Sequence, residues 1–280
     1  MYSNHSEYVA TNPEMESRIG GVLAELTLEE KIRLIAGAHG GQQTNSVDRL
    51  GIPSLKFADG PMGVHWWTRA STSYPALIAA AATWDAALVY DLGVALGRDC
   101  RARGVHVLLA PGVNIYRSPL CGRNFEYCGE DPFLSSRVGT EYVKGVQVNK
   151  VAATVKHYAV NFQEYDRHHV SSDCDERTLR EVYLPAFESA VMEGGVGCVM
   201  NAYNLVNGEH CSQHDHLNNS ILKGEWGFEG VLMSDWVSTY DTVGTALGGL
   251  DLEMPEADVW EESKVRKAIG NGLIPIECID

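Results

Sequence analysis

Asp235 closes a short apolar run, Val231-Leu232-Met233, followed by Ser234-Asp235-Trp236. Three consecutive apolar residues after Gly230 read as a strand buried on both faces, the habit of parallel strands in α/β proteins. A carboxylate just past the C-terminal end of such a strand sits where α/β barrels do chemistry. Trp236 beside it offers an apolar face suited to a sugar ring. For an isolated Ser-Asp-Trp, capping of the next helix is the plainer role, so the other strand ends must decide between the two.

Those ends are unusually rich in polar and ionisable residues. Asp59 precedes Gly60-Pro61 after the run Leu55–Ala58. Arg123 lies in Gly122-Arg123-Asn124-Phe125-Glu126, downstream of Val105–Ala110. Lys156-His157-Tyr158 ends Ala152–Tyr158, Met200-Asn201-Ala202-Tyr203-Asn204 ends Gly197–Ala202, and Asp251 and Glu253 fall in Leu250–Met254. Each has a structural alternative: Asp59 as a turn former, Arg123 as a partner of Glu126 or Asp131. Lys156 and His157 fit a structural role least, because burying a lysine is costly without a partner or a function. Carboxylates accept hydrogen bonds from hydroxyl groups, Arg, Lys and His donate them, and Tyr and Trp bound a ring. Together they suit a polyhydroxylated neutral ligand with one carboxylate at its anomeric carbon. In a retaining glycosidase a second carboxyl group, about 5–5.5 Å away, protonates the leaving oxygen.

The elements that must position these residues alternate along the chain, as in an α/β fold. Besides the runs above, Ala76–Trp84 reads as a further short strand. Helices are expected over Leu28–Ala36, after a Thr27-x-x-Glu30 capping box, and over Ala86–Arg101, Ser135–Val148, Glu176–Met192, His214–Trp226 and Glu261–Gly270. The pattern predicts a (β/α)8 TIM-like barrel, with room for an incomplete or irregular set of strands and helices. An open doubly wound sheet is the alternative, but no Gly-x-Gly-x-x-Gly or Walker motif supports a nucleotide site. The 280 residues nearly match the roughly 250 of one such barrel. A net charge of −15 argues against nucleic acid and anionic membranes as partners. The polar N-terminus lacks a signal-peptide pattern, and the longest apolar run, Ala76–Ala82, is too short to span a bilayer, so a cytoplasmic location is expected. Seven cysteines are odd in number and match no zinc spacing. They read as reduced thiols, and neither a metal nor a cofactor is expected.

In order and spacing, Phe57-Ala58-Asp59-Gly60-Pro61, Ala82-Thr83-Trp84-Asp85, Gly122–Glu126 through Glu130-Asp131-Pro132, Lys156-His157-Tyr158, Val199–Asn204 and Ser234-Asp235-Trp236 resemble the N-terminal barrel domain of family 3 glycoside hydrolases, particularly the β-glucosidases. The resemblance implies that Asp235 is the catalytic nucleophile. It implies that Asp59, Arg123, Lys156 and His157 hold sugar hydroxyls, and that Met200, Tyr203 and Trp236 line the subsite. Arg167 resembles a supporting residue. His65, followed by Trp66-Trp67, stands where several relatives carry an arginine. The expected organisation is an extension over residues 1–26 and a barrel over residues 27–280, without the second, α/β-sandwich domain that usually supplies the acid/base carboxylate. The Lys-His-Phe-Pro-Gly-His-Gly loop of the N-acetylglucosaminidase branch is not matched at Lys156–Gln163. Glu126, Glu164 and Glu253 are then the acid candidates within the chain, and His168-His169 is expected to serve a loop or surface role. The implied function is a retaining exo-acting β-glucosidase acting on a β-glucoside or oligosaccharide. A half-site sugar-binding barrel without the acid, and a β-xylosidase, are the alternatives. Docking of a second domain, or self-association, is the expected protein contact.

Overall fold

A computed structural model describes residues 13–65 and 70–280. Trp66, Trp67 and the first twelve residues of the expected extension lie outside the described residues. The strands, in chain order, are β1 (Gly37–Ala38), β2 (Gln43–Thr44), β3 (Phe57–Asp59), β4 (Val107–Leu109), β5 (Ala152–Tyr158), β6 (Ser171–Ser172), β7 (Cys198–Asn201), β8 (Leu205–Val206), β9 (Glu209–His210) and β10 (Val231–Met233).

Five of the expected apolar runs become one parallel arc in the order β10-β7-β5-β4-β3. Successive side chains of a strand point to opposite faces, and the packing follows that alternation. Phe57, Val107, Leu109, Cys198, Met200 and Met233 pack together on the inner face with Leu252 and Met254. Ala58, Leu108, Val199 and Leu232 belong instead to the larger core beneath the helices. The inner cluster is thus the filled interior of a barrel.

Regular ladders do not carry the arc into a closed ring; single bridges do. Met233 bridges Leu252 in parallel, and Ala36 bridges Glu253 in parallel. β1 then pairs antiparallel with β2, and Gln43 bridges Lys56 antiparallel, beside β3. Leu250–Met254, expected as a strand, contributes only these bridges. The Glu253 main chain donates to the Ile35 carbonyl at 2.9 Å and accepts from Gly37 N–H at 2.8 Å. The barrel is irregular because one of its members is an antiparallel hairpin.

The helices begin and end on local signals. Thr27 and Glu30 form the expected capping box of Leu28–Leu34. Asp85 caps Ala86–Arg103 by accepting from Leu88 N–H, and Gly104 ends it in the left-handed conformation. Asp131, one suggested partner of Arg123, instead caps Pro132–Gln147 by accepting from Leu134 N–H at 2.6 Å. The last two helices cross at glycines: a Cβ on Gly145 would lie 2.2 Å from the Tyr90 carbonyl oxygen. The expected Glu176–Met192 helix contains a wider π turn over Leu179–Tyr183, directly before the region where Pro185 lacks an N–H.

One further expectation is corrected. Ala76–Trp84 holds no strand but the short helix Leu77–Ala81, as its alanine content favours. Within residues 1–26, Pro13–Glu25 forms a helix with no buried residue.

Candidate active site

The C-terminal ends of the parallel strands open into a cavity of about 540 Å³, within the range typical of small-molecule sites. All ten residues that the resemblance places at the site line it: Asp59, His65, Arg123, Lys156, His157, Arg167, Met200, Tyr203, Asp235 and Trp236. Gly40, Gly41 and Gln42, from the turn between β1 and β2, also line it. In sequence Gly40-Gly41 is only a turn signal, and two-residue strands are too short to show a period.

Asp235 is buried two residues past the end of β10. Its Oδ1 accepts from Trp236 N–H at 2.7 Å. Its Oδ2 has no hydrogen-bond partner and faces His157 Nε2 at 3.5 Å. Burial pushes the carboxyl above the ordinary aspartate range, while Arg123, Lys156, the Trp236 N–H and Tyr203 act in the opposite direction. The Tyr203 phenol is in turn driven up, first by burial and then by the charge of Asp235. The Arg167 guanidinium lies over the Tyr203 ring, 3.8 Å from its centroid, and pairs with Glu164 at 2.9 Å.

Lys156 and His157 are sequence neighbours, yet both line the cavity. A regular strand would send them to opposite faces; a register shift between Lys156 and Tyr158 in the β5–β7 pairing breaks that alternation. Lys156 Nζ donates to Asp59 Oδ1 at 2.9 Å. The Asp59 side chain is 59% exposed at the mouth. Partial withdrawal from water opposes its ionisation, but Lys156, the Gly60 N–H and Arg123 prevail and hold its carboxyl below the usual range. The turn-former reading of Asp59 also holds locally, since Gly60 N–H donates to it at 3.0 Å. Arg123 likewise serves both readings, lining the cavity while its Nε donates to buried Glu126.

The three acid candidates lie apart from the cavity lining. Glu126 is engaged by Arg123 and Glu164 by Arg167. Glu253 is fully buried and accepts from Thr239 Oγ1 and from the N–H groups of Asp258, Val259 and Trp260. Among the described residues, the carboxylates lining the cavity are Asp59 and Asp235.

Residues that the sequence did not single out stand behind the lining. Buried Asn114 clamps the His157 peptide, donating to its carbonyl at 3.0 Å and accepting from its N–H at 2.9 Å. His168, expected in a loop or at the surface, lies in a turn, packs edge-on to Tyr203 at 4.7 Å between centroids and shares a hydrogen bond with the Tyr240 hydroxyl at 3.0 Å. His169 does face outward, against Asp166.

A family profile described as "Glycosyl hydrolase family 3 N terminal domain" matches residues 10–280. The chain is 47% identical to "Beta-glucosidase BoGH3A" of Bacteroides ovatus over 298 aligned residues, covering 98% of this chain and 40% of that protein. It superposes on β-glucosidase 3B from Thermotoga neapolitana in complex with glucose with a TM-score of 0.89 and 38% identity, over 94% of this chain and 41% of that one. For the β-glucosidase from Kluyveromyces marxianus in complex with glucose the TM-score is 0.91 and the identity 37%, over 94% of this chain and 32% of that one. The chain thus spans about two-fifths or less of the length of these relatives.

Proposed function

Because this chain belongs to glycosyl hydrolase family 3, we propose that it is the nucleophile-bearing barrel of a retaining β-glucosidase. One observation carries the reading. Among the described residues, one buried carboxylate, Asp235, presents an unpartnered oxygen to the cavity amid Arg123, Lys156 and His157. In this reading Asp235 Oδ2 attacks the anomeric carbon while the bond to the leaving oxygen breaks. Asp59, Lys156 and Arg123 hold the hydroxyl groups of one glucosyl ring, and His157 stands against the nucleophile. Met200 and Trp236 supply its apolar wall, and Tyr203 steadies the nucleophile.

The leaving oxygen of a natural glucoside needs a proton. Asp59 is a poor donor, because its pairing with Lys156 favours the ionised form. Labelling of the nucleophile therefore calls for a substrate whose leaving group departs unprotonated. With 2-deoxy-2-fluoro-β-D-glucosyl fluoride, the Asp235–C1 bond forms as C1–F breaks and fluoride leaves. The 2-fluoro substituent slows release of the ester. Mass spectrometry should find the 2-fluoroglucosyl group on the peptide carrying Asp235, and none in Asp235→Asn. Labelling of another residue, or undiminished labelling of the variant, overturns the assignment.

The pair of cavity carboxylates also favours a narrower, half-site form of this reading. There, aryl β-glucosides with good leaving groups react at least a hundredfold faster than alkyl ones, since general acid catalysis contributes about 10²–10⁴-fold. Equal rates on both classes would mean that a general acid is in place.

A further inference from the structure

His157 stands between two groups that constrain where its proton sits. On one side the Tyr127 hydroxyl lies 3.2 Å from Nδ1. On the other, Nε2 faces Asp235 Oδ2 at 3.5 Å, and neither of those two atoms has a hydrogen-bond partner. The ring cannot drift, because Asn114 holds its peptide on both edges. Tyr127 is fully buried and packs edge-on to the imidazole, and the Tyr116 hydroxyl donates to its carbonyl at 3.1 Å.

A neutral imidazole has one donor and one acceptor. With the proton on Nδ1, that N–H would donate to Tyr127 and the bare Nε2 lone pair would meet an ionised carboxylate, acceptor against acceptor. With the proton on Nε2, the N–H points at Asp235 and the Tyr127 hydroxyl donates to Nδ1. Only the second arrangement gives every buried polar atom a complementary neighbour. We propose that Tyr127 is a positioning residue that fixes His157 in the Nε2–H tautomer, so that this N–H is aimed at the oxygen of Asp235 that attacks the sugar. The effect on catalysis rests on the nucleophile reading above; the tautomer does not.

The charge state supports this arrangement. Burial, followed by the positive charges of Arg123, Lys156 and Arg167, holds His157 well below the ordinary histidine range, so the ring stays neutral. Burial also raises the Tyr127 phenol well above its usual range, so the hydroxyl keeps the proton that it donates.

The test uses the whole chain with ¹⁵N-labelled histidine. The His157 signals among the ten histidines are identified by their loss in His157→Gln. Long-range ¹H–¹⁵N spectra should show a protonated Nε2 and an unprotonated Nδ1 at neutral pH. The same pattern should persist in Asp235→Asn, where a carboxylate no longer selects the proton's place. Adding Tyr127→Phe to that variant should convert the pattern to a mixture of both tautomers. Tyr127→Phe alone should slow labelling by the glucosyl fluoride about tenfold, the worth of one hydrogen bond, and change glucose affinity less than twofold. An Nδ1–H tautomer in the parent chain overturns the proposal, as does a pattern left unmoved when Tyr127→Phe is added to Asp235→Asn. The parent and Asp235→Asn spectra remain decisive if Tyr127→Phe does not fold. A parent chain that fails to label overturns the nucleophile reading and leaves the tautomer to the spectra.

Discussion

Asp235 is pulled in two directions, and the balance sets how it responds to pH. Burial disfavours its charge, while Arg123 and Lys156 restore part of the loss. On the proposed function Asp235 must be ionised to attack, so labelling should fall off on the acid side at a pH above that of an ordinary aspartate. Lys156→Met removes one of the restoring charges, so the acid limb should move further up, which labelling rates between pH 4 and 8 would record. The same shift has a sign in stability. A carboxyl whose folded-state value lies above its unfolded value stabilises the fold fully at low pH, and that stabilisation is lost as pH rises through the folded value. Asp235→Asn should therefore gain in Tm relative to the parent as pH rises from 4 to 7. A gain that shrinks over that range would contradict the burial-driven shift. These residues were legible in the sequence because a lysine, a histidine and a carboxylate at the ends of apolar runs have few cheap structural explanations. Asn114, Tyr127 and Tyr240 were not, because they work through backbone clamps and ring contacts that follow from no local pattern.

At the scale of elements, the crossing of Ala86–Arg103 and Pro132–Gln147 sets the outer wall behind β4 and β5. That crossing depends on bare backbone. A methyl on Gly145 would meet the Tyr90 carbonyl at 2.2 Å, and one on Gly93 the Tyr142 carbonyl at 2.5 Å. Gly145→Ala should destabilise the chain by about 1–3 kcal/mol, the usual cost of overpacking, seen as a lowered urea midpoint. Labelling of Asp235 per folded molecule should stay within twofold. The long helices and the parallel strands could be read in advance because caps and apolar runs announce them. Three kinds of element could not. Leu77–Ala81 is a short apolar run without a period, so only its alanines point to a helix. The β1–β2 hairpin offers two residues per strand, too few for alternation. Leu250–Met254 has a strand's composition but joins the barrel by single bridges, which depend on what lies across from it.

For the whole molecule, the seam at Ala36, Glu253, Gln43 and Lys56 is where the ring is joined by isolated bridges in place of ladders. Such regions open at lower free energy than continuous ladders. Amide exchange should therefore be faster at Gly37 and Glu253, which bond across the seam, than at Val155 or Val199 in the middle of the arc. Equal protection at both places would mean that the ring opens only as one unit. The seam also borders the cavity. Gly40 and Gly41 line it from the hairpin side, and Gly41 lies so close under Trp236 that a Cβ there would fall 2.6 Å from the indole. A ligand gripped between that turn and the strand ends binds the closed ring and not the parted one. A filled cavity is thus the keystone of the arch: glucose should slow exchange at Gly37 and Glu253 selectively, and lengthen the chain's survival against a protease in proportion to how much sugar surrounds it.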